Sequence, residues 1–267
     1  DTKGIFRFNP DNNKISKIVN LDKNNLLRQV EVIKCSDGVV WVSFHGGDIS
    51  IFSLAGNLID EFSSKQTIGG NFEAFIDVQF SPDNIPWYSD GRNLRHWDGH
   101  KFSTVGLNPG EYVYALSFES TGDIWVARLG SLERYSFVEG KIKLEEIVDS
   151  KQGLPSVETR SVLVSESGSV WLNTVRGLVQ YDKKKRRARL SGLLEGLPSL
   201  DFTGDTLRSQ SSRLALAFSK EGVVIFDPTS LLLPLSAPRI SVETIELQRG
   251  EDTVSYIDQK NESSQVV

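Results

Sequence analysis

Short apolar runs in which every second residue is polar or small recur along the chain, punctuated by glycine, asparagine, aspartate and serine. Ala115-Leu-Ser-Phe118 and Ser161-Val-Leu-Val164 are two of them. A period of two puts one face of a strand inward and the other outward, and the punctuating residues are turn formers. No segment keeps a 3.6-residue apolar period over three turns, so helix is expected to be scarce.

The runs fall into a repeat of about 44 residues, the period range of stacked or radially arranged units. One unit reads Gly168-Ser-Val-Trp171-Leu-Asn-Thr174, then Gly177-Leu-Val-Gln-Tyr181-Asp182. Its counterparts are Gly122-Asp-Ile-Trp125 with Ser131-Leu-Glu-Arg-Tyr135, and Gly38-Val-Val-Trp41 with Gly47-Asp-Ile-Ser-Ile-Phe52. Asn84-Ile-Pro-Trp87 with Asn93-Leu-Arg-His-Trp97 keeps the frame. Ser212-Arg-Leu-Ala215 with Gly222-Val-Val-Ile-Phe226 puts alanine in the tryptophan place, and Gly4-Ile-Phe-Arg-Phe8 is a second half alone.

Six aromatic anchors result: Phe8, Phe52, Trp97, Tyr135, Tyr181 and Phe226. Four short strands per unit make an all-β chain and predict a β-propeller of four-stranded blades. About five full blades and a partial one are expected over residues 1–236, as part of a larger propeller. Trp41, Trp125 and Trp171 are expected to fill the roughly 10 Å between neighbouring sheets. Pro86, inside a tryptophan strand, removes a ladder hydrogen bond and makes that blade the least regular. Gly4 to Asn9 and Lys14 to Val19 read as third and fourth strands, and the last unit as first to third, so the chain is not expected to close a ring by itself.

At these residues the chain resembles the two-component regulator propeller family, whose pattern is best met from Gly168 to Asp182. Gly153-Leu-Pro-Ser156 and Gly196-Leu-Pro-Ser199 look like that family's inter-blade linkers. Gly222 to Pro228, followed by Ala237 to Val242, resembles its exit from the last blade. The resemblance implies that residues 237–267 are a linker or the start of an immunoglobulin-like three-Y module. It also implies an extracytoplasmic, periplasmic sensor of a membrane signalling receptor with a histidine kinase or diguanylate cyclase output. A small-molecule or oligosaccharide ligand and a homodimeric parent receptor are implied as partners, the membrane being reached only through other segments of the parent.

Composition narrows the alternatives. A net charge of −5 argues against a nucleic-acid surface. Apolar residues make up 39%, enough for a core. Cys35 stands alone, and its alternating run, Val30 to Cys35, predicts a small buried hydrophobe. His96 and His100 are four apart, but across a strand end and its turn, with no third ligand in view. Gly46-Gly-Asp-Ile-Ser50 lacks the glutamate of a cyclase motif. Lys183-Lys-Lys-Arg-Arg187 and the acidic pair Glu145-Glu146 read as solvated turn and rim. No catalytic residue, metal or cofactor is expected, and an enzyme is not.

Ligand chemistry is instead expected at one end of the channel, where turns between second and third strands meet the links between blades. Arg92, Arg128 and Arg176 fall on successive inner turns, with Tyr112, Asp90 and His45 close by in the pattern. Guanidinium forks there suit an acidic or hydroxylated ligand such as a uronic-acid sugar. A protein-interaction scaffold without a small ligand, or a propeller lyase or glycosidase, are the competing readings.

Overall fold

The glycine ahead of each tryptophan strand takes a left-handed conformation, with φ of 75° at Gly38, 94° at Gly122 and 82° at Gly168. Asn84 holds the same place at φ 65°, an angle asparagine tolerates better than most side chains. Each turn reverses the chain into an antiparallel neighbour, and successive reversals build one small sheet per repeat. The structure is a computed structural model that describes residues 4–9, 11–20, 30–63, 78–107, 112–202, 207–208, 214–229, 244–249 and 252–257.

The first sheet pairs β1 (Gly4–Asn9) with β2 (Lys14–Asn20). The second contains β3 (Val30–Ser36), β4 (Val39–Phe44), β5 (Ile49–Ser53) and β6 (Leu58–Phe62). In the third are β7 (Val78–Phe80), β8 (Pro86–Ser89), β9 (Leu94–Trp97) and β10 (Phe102–Val105). The fourth has β11 (Val113–Phe118), β12 (Ile124–Arg128), β13 (Ser131–Val138) and β14 (Lys141–Val148). The fifth has β15 (Thr159–Val164), β16 (Val170–Thr174), β17 (Gly177–Asp182) and β18 (Arg187–Ser191). The sixth has three strands, β19 (Leu207–Arg208), β20 (Ala215–Phe218) and β21 (Val223–Phe226). Every sheet runs in sequence order with antiparallel neighbours. Pro86 opens β8, and the third sheet has the shortest strands of the four-stranded sheets.

These sheets lie in the first of two compact units, Asp1–Ser230; the second is Leu231–Val267. Its described part is one hairpin, β22 (Thr244–Arg249) with β23 (Asp252–Ile257). Among the described residues the helical elements are single 3₁₀ turns, Ser150–Gln152 and Leu193–Glu195, in the links leaving the fourth and fifth sheets.

Consecutive sheets pack face to face. First strands abut first strands, β3 against β7, β7 against β11 and β11 against β15, which is the radial arrangement of a propeller. Each joint is one apolar cluster. Trp41 and Ile51 meet Val78, Tyr88 and Phe102; Trp87 and Leu94 meet Leu116, Val126 and Tyr135. Trp125 and Ala127 meet Val162, Leu172 and Tyr181. The tryptophan therefore faces the following sheet and the anchor faces the preceding one. Trp41, Trp87, Trp125 and Trp171 are all buried, as are Tyr135 and Tyr181.

Three expectations are corrected. In the regular units the anchor pairs with the residue before the tryptophan: Phe52 with Val40, Tyr135 with Ile124, Tyr181 with Val170. In the sixth sheet Phe226 pairs with Ala215, so Leu216, not Ala215, stands in the tryptophan place. Phe8 is an anchor by spacing, yet it is 57% exposed, because among the described residues no preceding sheet covers it. Cys35 is exposed rather than buried, and the ladder slips between Val30 and Val32. The ladder between Gly4–Asn9 and the last unit is not formed among the described residues; β1 pairs with β2, and β21 with β20.

Candidate functional site

The turns between second and third strands are organised by their own residues. In the third sheet Asp90 builds the turn: its Oδ1 accepts from the backbone N–H of Arg92 at 3.1 Å and of Asn93 at 2.8 Å. Its Oδ2 accepts from Arg95 Nε at 3.0 Å. In the fifth sheet Thr174 Oγ1 accepts from the Arg176 N–H at 3.1 Å and donates to the Gly177 carbonyl at 2.8 Å. Both are the short polar side chains that mimic a backbone turn.

The links between sheets lie against these turns. Tyr112, on the link into the fourth sheet, packs so closely on Gly91 that a Cβ there would come within 2.2 Å of its ring. Ser156, on the link into the fifth, sits against Gly130 in the same way, 3.0 Å from that position. The Val175 N–H donates to the Glu158 carbonyl, and the Phe202 N–H to the Thr174 carbonyl, both at 3.3 Å. The Gly-Leu-Pro-Ser links work because their glycines close the 3₁₀ turns in the left-handed region, Gly153 at φ 87° and Gly196 at φ 91°. The next leucine then drops inward: Leu154 is buried in the fourth–fifth joint, and Leu197 packs on the fifth–sixth one.

Among the described residues, one end of the sheet stack therefore carries the inner turns together with parts of the links into the fourth, fifth and sixth sheets. Arg92, Arg176 and His45 are exposed on the inner turns of the third, fifth and second sheets. Tyr112 is half-buried and meets Tyr114 edge to face, ring centroids 5.2 Å apart. Arg128 differs from the other arginines. It closes β12, is only 3% exposed, and its Nε lies 2.9 Å from Glu133 Oε2. Glu133 also accepts from the Tyr135 hydroxyl at 2.5 Å. Asp90, bonded within its own turn, shapes the site rather than facing outward.

Sequence reading missed Glu133, Glu158 and Asp201. Arg160 Nη1 lies 2.6 Å from Glu158 Oε1, and Lys220 Nζ 2.5 Å from Asp201 Oδ2, joining the last inner turn to its link. The Asp201 pairing holds the Lys220 ammonium pKa above its ordinary value. For Glu133 a signal existed: an acid facing an arginine two positions away on the next strand.

The opposite end carries a charged groove between the fourth and fifth sheets, lined by Arg134, Glu145, Glu146, Lys183 and Arg186. Lys183 Nζ reaches Glu119 Oε1 and Oε2 at 2.6 and 2.8 Å, and Glu119 also accepts from Trp125 Nε1 at 2.6 Å. Glu146 accepts from the Tyr181 hydroxyl at 2.6 Å and faces Arg134 at 3.5 Å and Arg186 at 3.6 Å. The basic run and the acidic pair are thus not merely solvated: Lys183 and Glu146 tie one sheet to the next, while Lys185 remains exposed. His96 stacks on Trp87 at 4.8 Å, and His100 lies exposed in the following turn. Among the described residues no three His, Cys, Asp or Glu side chains cluster as metal ligands.

The fold so built defines a propeller-repeat protein. No family model matches the chain, and no curated protein matches it. Among solved structures it is similar to the extracellular domain described as a hybrid two component system, BT3049 of B. thetaiotaomicron. The match has a TM-score of 0.69 and 18% identity, over 99% of this chain and 36% of that one. It is similar also to the extracellular domain of a one component system, BT4673 of the same organism, with a TM-score of 0.62 and 14% identity, over 84% and 30%. The chain thus spans about a third of the length of both domains. A virginiamycin B lyase from Staphylococcus aureus shares the fold at a TM-score of 0.54 and 14% identity, over 88% and 86%.

Proposed function

We propose that this chain is the ligand-sensing propeller segment of an extracytoplasmic, periplasmic receptor of the two-component or cyclic-di-GMP kind. It binds a small molecule or glycan on the band of turns and links, and a cytoplasmic output domain reads the bound state. The observation that carries this reading is the interlocking of links with inner turns at Gly91–Tyr112 and Gly130–Ser156. A rigid scaffold thereby presents Arg92 and Arg176 outward at its loop end, the usual location of binding residues. The similarity to extracellular domains of signalling systems supports the sensing role. Exposed guanidinium groups favour an acidic or hydroxylated ligand. Tyr112 supplies an amphipathic ring beside them. Arg128, buried and paired with Glu133, sets the end of β12 beneath this face.

This segment is not itself an enzyme in this reading. At the loop end Asp90, Glu133, Glu158 and Asp201 each hold a cation or a turn. Isothermal calorimetry with acidic oligosaccharides tests the proposal. Binding that weakens at least about tenfold, roughly 1.4 kcal/mol, in Arg92→Ala or Arg176→Ala supports it. Equal affinity in both variants and the parent, or no binding across the series, overturns it.

A further inference from the structure

The groove at the end opposite the inner turns has more hydrogen-bond donors than the fold uses. It has a volume of about 320 Å³ and is lined by Arg134, Glu145, Glu146, Lys183 and Arg186. Three carboxylates in and around it each hold one cation closely. Glu119 has Lys183 at 2.6 Å, Asp123 has Arg134 at 2.8 Å, and Glu145 has Lys143 at 3.1 Å. Glu146 is different. It accepts from the Tyr181 hydroxyl, while Arg134 Nε stands 3.5 Å from one of its oxygens and Arg186 Nε 3.6 Å from the other. Both separations exceed the usual length of an N–H···O bond.

Arg134 Nε is buried and has no hydrogen-bond partner among the described residues, an uncommon state because it forfeits the donor's hydration without return. Arg186 enters from the turn between β17 and β18, which Asp182 Oδ1 fixes by accepting from the Lys184 and Lys185 N–H groups at 2.9 and 3.1 Å. Its side chain is 67% exposed. A guanidinium carries five N–H donors and no acceptor, so one distant carboxylate leaves both arginines with capacity. Charge then limits the ligand. Arg134, Lys143, Lys183 and Arg186 balance Glu119, Asp123, Glu145 and Glu146. A neutral set with donors to spare accommodates one negative charge carried on acceptor oxygens. A cation would meet carboxylates that are already paired, and a dianion would set excess charge against Glu146. A planar carboxylate also matches a guanidinium fork with two parallel bonds.

We propose that this groove binds the carboxylate of a small organic acid, held between Arg134 and Arg186. The site lies at the other end of the sheets from the inner turns and does not depend on the ligand-binding reading of that face.

The experiment follows the arginine Nε–H resonances of the 267-residue chain by NMR at pH 6 and constant ionic strength. Sodium acetate is the probe, methyl acetate its neutral counterpart and sodium sulfate the dianion. Arg134→Lys and Arg186→Lys assign the two resonances. Acetate should shift both along one saturable curve, and that curve should persist in the Arg92→Ala and Arg176→Ala variants, which separates this site from the inner-turn face. Arg186→Gln should weaken acetate at least about tenfold. Glu146→Gln, which keeps an acceptor for Tyr181 but removes a like charge, should tighten it about fivefold, an effect that a purely structural Glu146 would not give. A drift without saturation, shared by every exposed arginine, overturns the proposal, as does an equal response to methyl acetate. Sulfate binding more tightly than acetate overturns the carboxylate assignment, and unchanged affinity in Arg186→Gln or Glu146→Gln overturns the placement between these side chains.

Discussion

Tyr181 meets Trp125 edge to face across the joint between the fourth and fifth sheets, ring centroids 5.9 Å apart and planes at 65°. Each ring is anchored by a polar bond made across or beside the joint. The indole N–H donates to Glu119, which Lys183 of the fifth sheet clamps, and the phenol donates to Glu146 of the fourth. The two sheets are therefore held by an apolar contact with a hydrogen bond at either end.

Removing the larger ring tests the apolar part. Trp125 is completely buried, and truncating a buried tryptophan to alanine costs about 3–5 kcal/mol. Trp125→Ala should lower the unfolding free energy of the sheet stack, read by urea denaturation, by that amount. A change below about 1 kcal/mol would mean that the joint is not a cooperative part of the fold.

The clamp is tested at Glu119. Glu119→Ala leaves the buried indole N–H unpaired, a loss of about 1–3 kcal/mol. Glu119→Gln keeps an acceptor and should recover much of it. A double-mutant cycle with Lys183→Met should show coupling between Glu119 and Lys183, read by chemical denaturation.

Alkaline pH should weaken the same joints. Burial first, and then hydrogen bonds to Glu146 and Glu133, raise the Tyr181 and Tyr135 pKa from 10.0 to about 12. A pKa raised in the fold favours the neutral phenol, so this contribution is complete below pH 10 and is lost as pH rises from 10 through 12. Denaturation at stepped pH should show that loss, and Tyr181→Phe should flatten it. An unchanged slope in that variant would count against the assignment.

Gly91 tests the turn-to-link contact that supports the proposed binding face. Its φ is 84°, and a Cβ would strike the Tyr112 ring. Gly91→Ala should destabilise by about 1–3 kcal/mol through left-handed strain and displacement of that ring. Tyr112 fluorescence and ligand affinity should change with it, whereas Gly99→Ala, where a Cβ meets nothing, has only the strain of its positive φ.

The repeat, the strands and the inward tryptophans are legible in the amino-acid pattern alone. Period-two alternation and turn glycines are local signals, and a bulky ring recurring at constant spacing has only the gap between sheets to fill. The pattern also indicates where links and inner turns meet, because Gly-Leu-Pro-Ser carries its own turn and plug. The rest depends on how neighbouring sheets pack. Ala215 and Leu216 are both apolar, so the ladder to Phe226 alone could reveal which one takes the tryptophan place. Phe8 and Cys35 read as core because each sits in a core pattern, but burial depends on the neighbouring sheet, and that cover is absent among the described residues. Lys183 and Arg128 read as loop cations, yet they pair with Glu119 and Glu133. Glu119 lies 64 residues from Lys183, on another sheet, and which charges meet across a joint follows from how two twisted sheets stack, not from the spacing along either one.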